Sequence, residues 1–149
     1  MSLKKKRFTT ERTEITEITE KKIVAAENRD PLTDKVIGLA IEVHRSLGPG
    51  LLESAYEECL CYEFTQRAIQ FERQVPLAIR YKEVRLDCGY RLDIVVERSL
   101  ILEIKSVEQL QRLHDAQLLT YLKLSGIHTG LLLNFNVLLM KEGIKRLVF

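Results

Sequence analysis

Residues 90–106 constrain the fold of this chain more than any other stretch, and their sequence is YRLDIVVERSLILEIKS. Two apolar runs flank a short polar segment, a pattern that predicts two β-strands joined by a tight turn. Three charged residues, Asp93, Glu103 and Lys105, fall at positions where a sheet usually buries aliphatic side chains. Because a charge buried in a sheet is costly unless something compensates it, these residues are the first candidates for a functional site.

The spacing of these three residues is compatible with a metal site. Glu103 and Lys105 are two residues apart, so on a strand they point to the same face. Adjacent strands lie about 4.8 Å apart, which lets Asp93 on the neighbouring strand share one cation with Glu103. Hard cations such as Mg²⁺ take one or two carboxylates with water and phosphate oxygens, and Lys105 can orient a water beside them. The alternative is a structural Glu–Lys ion pair or a set of solvated edge positions.

The N-terminal residues differ in character from the rest of the chain. Thr-Glu pairs recur every three residues from Thr10 to Glu20, a period that matches neither a helix nor a strand. We therefore predict a polar N-terminal extension over residues 1–31 and one globular domain over residues 32–149.

Composition sets limits on location and partners. The net charge of +2 comes from 23 Lys and Arg against 21 Asp and Glu, which neither requires nor excludes nucleic acid. No apolar run approaches the roughly 20 residues that span a bilayer, so we expect no membrane association. Three cysteines without a secretion signal predict reduced thiols and a cytoplasmic protein.

Apolar periodicity and breaker residues predict the order of the elements. Thr33 or Asp34 is a natural N-cap for the first helix, and the run GLLLNF at residues 130–135 is typical of a strand covered on both faces. The order α-α-β-β-β-α-β-β favours a sheet with helices on both faces. The predicted elements are a helix from Thr33 or Asp34 to Leu47, helices over 51–67 and 108–125, and strands over 75–81, 84–97, 100–106, 130–135 and 144–149.

Further candidate residues lie on the predicted helices. Glu53 lies in the first turn of the second helix and Glu57 on the same face one turn later, so either can reach a metal. The alternative is that these acids complement the helix dipole. On the later helix, His114, Gln117 and Tyr121 form a polar stripe in which Gln117 can contact a scissile phosphate or a metal-bound water. The alternative is a solvated or hydrogen-bonded helix face.

Basic and histidine side chains complete the candidates. His44 lies on an apolar stripe, where a core histidine with its hydrogen bonds satisfied is the more expected reading than a metal ligand. Basic side chains are the usual contacts of phosphate groups. Those that can hold phosphates are Arg45, Arg73, Arg91, Lys123 and Lys141.

Residues 50–56, GLLESAY, have the pattern G-x-x-E-x-x-Y, and the wider run IGLAIEVHRSLGPGLLESAYEECL resembles the opening of the GxxExxY family. Further stretches that resemble this family are FERQVPLAIRYK, YRLDIVVE, LEIKSVEQL, HDAQLLTYLKLSG, LLLNFNV and GIKRLV. The resemblance extends from about residue 36 to residue 148. That family is grouped with the PD-(D/E)XK nuclease superfamily.

The resemblance implies an α/β fold with a restriction-endonuclease-like αβββαβ core, whose mixed central sheet has helices on both faces. It also implies that Asp93 is the motif aspartate and that Glu103 and Lys105 form the E-x-K. Glu53 would be the upstream helical carboxylate and Gln117 the polar residue on the helix after the motif. Leu92 stands where the motif has a proline, a residue without a chemical role.

From these residues and the resemblance together, we expect a metal-dependent nuclease that hydrolyses phosphodiester bonds of DNA or RNA. Asp93, Glu103 and Glu53 would bind Mg²⁺ or Mn²⁺, with the Ile104 carbonyl as a further ligand. Lys105, together with Glu53 and Gln117, would act in catalysis. Nucleic acid is the expected partner, and a homodimer is a further option. The alternatives are a catalytically silent module that binds nucleic acid or protein, and a purely structural role.

Overall fold

The computed structural model describes residues 30–149. The predicted N-terminal extension lies outside the described residues, apart from its last two. The helices are α1 (Pro31–Leu47), α2 (Glu53–Gln66) and α3 (Arg112–Ser125). The strands are β1 (Phe71–Pro76), β2 (Ile79–Tyr81), β3 (Val84–Leu86), β4 (Arg91–Val96), β5 (Leu100–Lys105), β6 (Thr129–Asn134) and β7 (Ile144–Val148), and a 3₁₀ turn covers Met140–Gly143.

Five of the seven strands form one mixed sheet with the order β1-β4-β5-β6-β7. The pair β5–β6 is parallel, and the other three pairs are antiparallel. Helix α3 is the crossover that a parallel pair requires. Within residues 30–149, strands β2 and β3 pair only with each other, as a separate two-stranded ribbon.

The helices cover both faces of the sheet, which confirms the predicted fold class. One core cluster joins α1 and α2 to the sheet through residues such as Val36, Tyr56 and Leu102. A second cluster joins α3 to the opposite face through residues such as Leu118 and Ile101. Strand β5 is buried along its length except at Lys105, because its neighbours and both helical layers enclose it. The charged groups of the central strands are therefore exceptions in an apolar sheet.

The structure corrects the predicted strands. The expected long strand over 84–97 is wrong, because it is interrupted at residues 87–90, where Gly89 has φ 78°. The chain passes there from the β2–β3 ribbon into the main sheet, and the Leu77 amide donates to the Tyr90 carbonyl. The strand expected over 75–81 is likewise two strands, since β1 ends at Pro76, which has no N–H for a ladder.

Two predicted helix starts also differ from the structure. Asp30, not Thr33 or Asp34, is the N-cap of α1, and its carboxylate accepts from the Thr33 amide at 2.7 Å. Helix α3 begins at Arg112 rather than residue 108. The preceding segment is held in another conformation, because the Asn134 side chain accepts from the Val107 amide and donates to the Val107 carbonyl.

No helix within residues 30–149 is long and apolar enough to cross a membrane.

Candidate active site

Two carboxyl groups replace the backbone ladder where β4 and β5 diverge. The paired register between these strands stops at Ile94 and Leu102. Beyond that point, Asp93 Oδ2 accepts a 2.8 Å hydrogen bond from the Ile104 amide, and the Asp93 amide donates to Glu103 Oε1 at 3.3 Å. The two strands therefore stay joined through side chains, which places both carboxyl groups together at the end of the hairpin.

Burial and neighbouring negative charges raise the pKa of both acids. Burial raises the pKa of the Asp93 carboxyl, and the charges of Glu57 and Glu53 raise it further. Burial, followed by the charge of Asp93, raises the pKa of Glu103 to about 8. Lys105 opposes both shifts without cancelling them. Lys105 alone therefore does not supply enough positive charge to bring the two carboxyl pKa values back to their usual range. A bound cation would lower them further.

Lys105 lies at the end of β5, next to this acid pair. Its backbone pairs in parallel register with Asn134 on β6. Its side chain is half-buried and lines a cavity of about 560 Å³. The structure therefore brings together Asp93, Glu103 and Lys105, the three residues whose spacing first suggested a site.

The glycine and the tyrosine of the G-x-x-E-x-x-Y segment shape the loop between α1 and α2. Tyr56 is fully buried and stacks on Phe135, with ring centroids 4.4 Å apart. Its hydroxyl donates to the Gly48 carbonyl at 2.6 Å and accepts from the Leu51 amide at 3.1 Å. Gly50 has φ 94°, a conformation that favours glycine. The tyrosine and the glycine thus fix the loop that leads into the glutamate.

Glu53 is held against the residue that follows the E-x-K segment. Its Oε1 accepts from the Ser106 amide at 3.2 Å, and the Ser106 hydroxyl donates to the Leu51 carbonyl at 2.7 Å. Its side chain is exposed, and its charge reaches Asp93 strongly enough to raise the pKa of that carboxyl. The observed contacts of Glu53 fasten α2 to the end of β5.

Gln117 lies on the sheet-facing side of α3, across the same cavity. Its Nε2 donates to the Tyr121 hydroxyl at 2.8 Å. Burial, and then the charge of Glu103, raise the pKa of Tyr121. Gln117, Tyr121 and His114 all line the cavity that Lys105 lines. The polar stripe predicted on this helix therefore faces the candidate site.

Glu57 and Arg73 form an ion pair beside the site. Glu57 is buried and accepts from Arg73 at 2.9 Å and from the Gln74 amide group at 2.8 Å. Arg73 also donates to Glu58 at 2.7 Å, so it is engaged within the fold rather than free to hold phosphate. Gln74, with φ 50° in the middle of β1, escaped the sequence reasoning because nothing in its neighbours signals a left-handed residue.

The remaining candidates are His44 and four basic side chains. His44 is buried and donates to the Val137 carbonyl at 2.7 Å, as expected for a core histidine. The other basic side chains proposed for phosphate contact are all exposed, namely Arg45, Arg91, Lys123 and Lys141.

The donor set consists of oxygen atoms, which suit hard divalent cations such as Mg²⁺ and Mn²⁺. Within residues 30–149, no three His, Cys, Asp or Glu side chains lie close enough together to hold a metal ion. The groups of the hairpin that could bind one are the carboxyl groups of Asp93 and Glu103 and the Ile104 carbonyl. Glu53, the third predicted ligand, accepts from the Ser106 amide. Mg²⁺ is commonly held by one or two carboxylates and keeps several waters, so a two-carboxylate site is sufficient.

A mixed five-stranded sheet between helical layers, with an acid pair and a lysine where two central strands diverge, defines a nuclease-like α/β domain. A family model described as the PD-(D/E)XK nuclease superfamily matches residues 30–147. The chain therefore belongs to the PD-(D/E)XK nuclease superfamily, as its sequence predicted. Searches of curated proteins and of solved structures found no match.

Proposed function

We propose that this protein is a divalent-metal-dependent nuclease that hydrolyses phosphodiester bonds of nucleic acid, with Mg²⁺ or Mn²⁺ as its metal. The observation that carries the proposal is the pairing of Asp93 with Glu103 beside Lys105, at the point where β4 and β5 diverge. Membership of a nuclease superfamily supports the same conclusion.

Asp93 and Glu103 are the proposed metal ligands, together with the Ile104 carbonyl. When bound, the metal would acidify a water and neutralise charge on the phosphate. The hydrogen bond from the Ile104 amide fixes the Asp93 carboxylate, so one ligand is oriented before any ion arrives. The Ile104 amide donates to Oδ2 of Asp93. Oδ1 can therefore bind the metal while Oδ2 still joins the two strands.

Lys105 is the proposed catalytic cation. It shares the acidic environment of the pair, as its effect on both carboxyl pKa values indicates. An ammonium group there can orient the attacking water and stabilise the negative charge that develops on the phosphate. Gln117, across the cavity, is proposed to contact the substrate through its amide group.

Glu53 is proposed to act by position as well as by charge. Its bond to the Ser106 amide holds the chain just after Lys105, and its carboxylate adds negative charge near Asp93. We also assign the chain to the GxxExxY family, because residues 50–56 carry that pattern and the structure gives its glycine and tyrosine a common purpose in shaping this loop.

The decisive experiment is a cleavage assay with labelled single- and double-stranded DNA and RNA, in EDTA, Mg²⁺ or Mn²⁺. We expect wild type to cleave only with a divalent ion and Lys105→Ala to lose at least about 100-fold in rate, as for the loss of a strong electrostatic contact. Lys35→Ala is the matched control, because Lys35 is an exposed lysine on α1, in the other helical layer. Equal background from wild type and Lys105→Ala would overturn the proposal.

The second candidate is a module that binds nucleic acid without cutting it. It is favoured by the burial of Glu103, because a pKa of about 8 opposes the deprotonation that a metal ligand requires. Binding with a steep salt dependence and no cleavage in any divalent ion would select this candidate. A homodimer and a cytoplasmic location stay predictions, and sedimentation of the purified chain tests the first.

A further inference from the structure

The cavity beside Lys105 has a lining that phosphate chemistry does not require. Its volume is about 560 Å³, and it lies between α3 and the segment that leads into the β2–β3 ribbon. Leu77, Ile79 and Leu124 contribute aliphatic side chains, and Tyr90 and Tyr121 contribute rings. A phosphodiester is charged and hydrophilic, so it gains nothing from an apolar wall. An apolar group that accompanies the phosphate would bury part of this surface.

The two tyrosine rings form an aromatic corner of the cavity. Their centroids are 6.4 Å apart and their planes meet at 64°. Tyr121 is buried, whereas Tyr90 is 43% exposed, so its ring is accessible to a ligand. Exposed tyrosine rings are the platforms on which unstacked bases bind, because every base has a π-face.

Polar groups at the wall include a donor on His114 and an acceptor on Gln117. His114 Nδ1 accepts from the Gln111 amide at 3.0 Å, which leaves its proton on Nε2 as a donor. Gln117 donates its amide N–H to Tyr121, and within residues 30–149 its Oε1 has no partner, so it remains an acceptor. A few polar groups in a mostly apolar cavity are the usual composition of a pocket for a planar heterocycle.

We propose that this cavity binds an unpaired nucleobase of the substrate, next to the phosphodiester that Lys105 faces. The inference rests on the proposed function, since it identifies the class of nucleic acid that the site accepts. A base in a duplex is stacked and paired, and it has to leave the stack to enter a concave pocket. The preferred substrate is therefore a single strand, or a duplex with an unpaired or extruded base.

The test is a binding measurement in EDTA, which removes cleavage from the readout. Three fluorescein-labelled probes of equal length are compared: a single strand, the blunt duplex of the same sequence, and an oligomer of abasic sites with the same charge. We expect wild type to bind the single strand at least about tenfold more tightly than the other two probes, because one stacked base contributes on that scale.

Two variants and a control localise the preference to the cavity. Tyr90→Ala removes a stacking ring, and Ala116→Trp fills the cavity from an exposed position on α3. Both should bring single-strand binding down to the level of the abasic oligomer. Tyr62→Ala, at a 63% exposed tyrosine on α2, should leave it unchanged. Circular dichroism confirms that each variant is folded.

The outcomes separate this inference from the nuclease proposal. Base-dependent binding that both cavity variants abolish, without cleavage in any divalent ion, supports the pocket and contradicts the nuclease. If all three probes are cleaved at one rate with a divalent ion, and wild type and both variants bind them with equal affinity in EDTA, the pocket is overturned and the nuclease proposal stands. Absence of binding to all three probes also overturns the pocket.

Discussion

The carboxylate of Asp93 accepts a hydrogen bond of 2.8 Å from the backbone amide of Ile104, in the place where a strand neighbour's carbonyl would otherwise accept it. This contact connects the fold to the site. It satisfies a buried amide and, at the same time, fixes a carboxylate beside Glu103. The predictions below follow from this arrangement and from the loop that supports it.

The first prediction concerns pH. The pKa of Glu103 is raised from 4.5 to about 8 in the folded protein, so the folded state binds its proton more tightly than the unfolded chain does. This contribution to stability is fully present below pH 4.5 and is lost as the pH rises through 8. In EDTA, the free energy of unfolding should fall between pH 5 and 8.5, and Glu103→Gln should reduce that fall.

Urea unfolding at several pH values measures this dependence. Glu108→Gln, at an exposed acid in the loop before α3, is the control and should leave the slope as in wild type. An identical slope in wild type and Glu103→Gln would show that Glu103 makes no contribution to the pH dependence of stability.

The second prediction concerns Tyr56. Tyr56→Phe keeps the ring stacked on Phe135 but removes both hydrogen bonds of the hydroxyl group. We expect a loss of about 1–2 kcal/mol in the free energy of unfolding and a lower cleavage rate, because the loop before Glu53 loosens. Tyr62→Phe, at an exposed tyrosine, should change neither. A fully active, fully stable Tyr56→Phe protein would contradict the assigned purpose of the motif tyrosine.

The third prediction separates two roles of Glu53. A glutamine at this position can still accept from the Ser106 amide, whereas an alanine cannot. If Glu53 acts by holding the end of β5, Glu53→Gln should retain most of the cleavage rate and Glu53→Ala should lose it. Equal losses in both variants would instead indicate that the negative charge itself is required, as for a metal ligand. The assay is single-turnover cleavage at saturating Mg²⁺.

The fourth prediction concerns Arg73, which the sequence offered as a phosphate contact. Removing it leaves the buried carboxylate of Glu57 without its positively charged partner, and only the hydrogen bond from Gln74 remains of the contacts described above. Arg73→Ala should therefore destabilise the protein by on the order of 2 kcal/mol, less than for a fully buried pair because Arg73 is one-third exposed. Arg98→Ala, in the exposed β4–β5 turn, should be near neutral. Thermal melts decide between the two roles. If Arg73 were a phosphate contact, its removal would weaken nucleic-acid binding without this loss of stability.

The central part of the site could be predicted from sequence because strand geometry is simple. A period of two places Glu103 and Lys105 on one face, and a tight turn brings Asp93 onto the neighbouring strand. The sheet with helices on both faces followed from the apolar runs of the central strands. Glu53 and Gln117 needed the family resemblance, since nothing in their own neighbourhoods marks them out from ordinary helix residues.

The rest of the site depends on tertiary arrangement. The break at residues 87–90 was missed because the apolar residues of β3 and β4 alternate on both sides of it. Tyr90, in that break, and Ile79, at the start of β2, both line the cavity, so the cavity could not be inferred from local pattern. The left-handed Gln74 and the Glu57–Arg73 pair are likewise set by packing between α2 and β1.

The measurement that tests the account most directly is calorimetric titration of the apo protein with Mn²⁺ at pH 7, in buffers of different ionisation enthalpy. We predict one ion per chain with release of about one proton, because the pKa of Glu103 is about 8 and the ligand must be deprotonated. The folded double variant Asp93→Asn, Glu103→Gln should bind no ion. Undiminished binding by that variant, or no binding by wild type, would contradict the assignment of Asp93 and Glu103 as the metal centre.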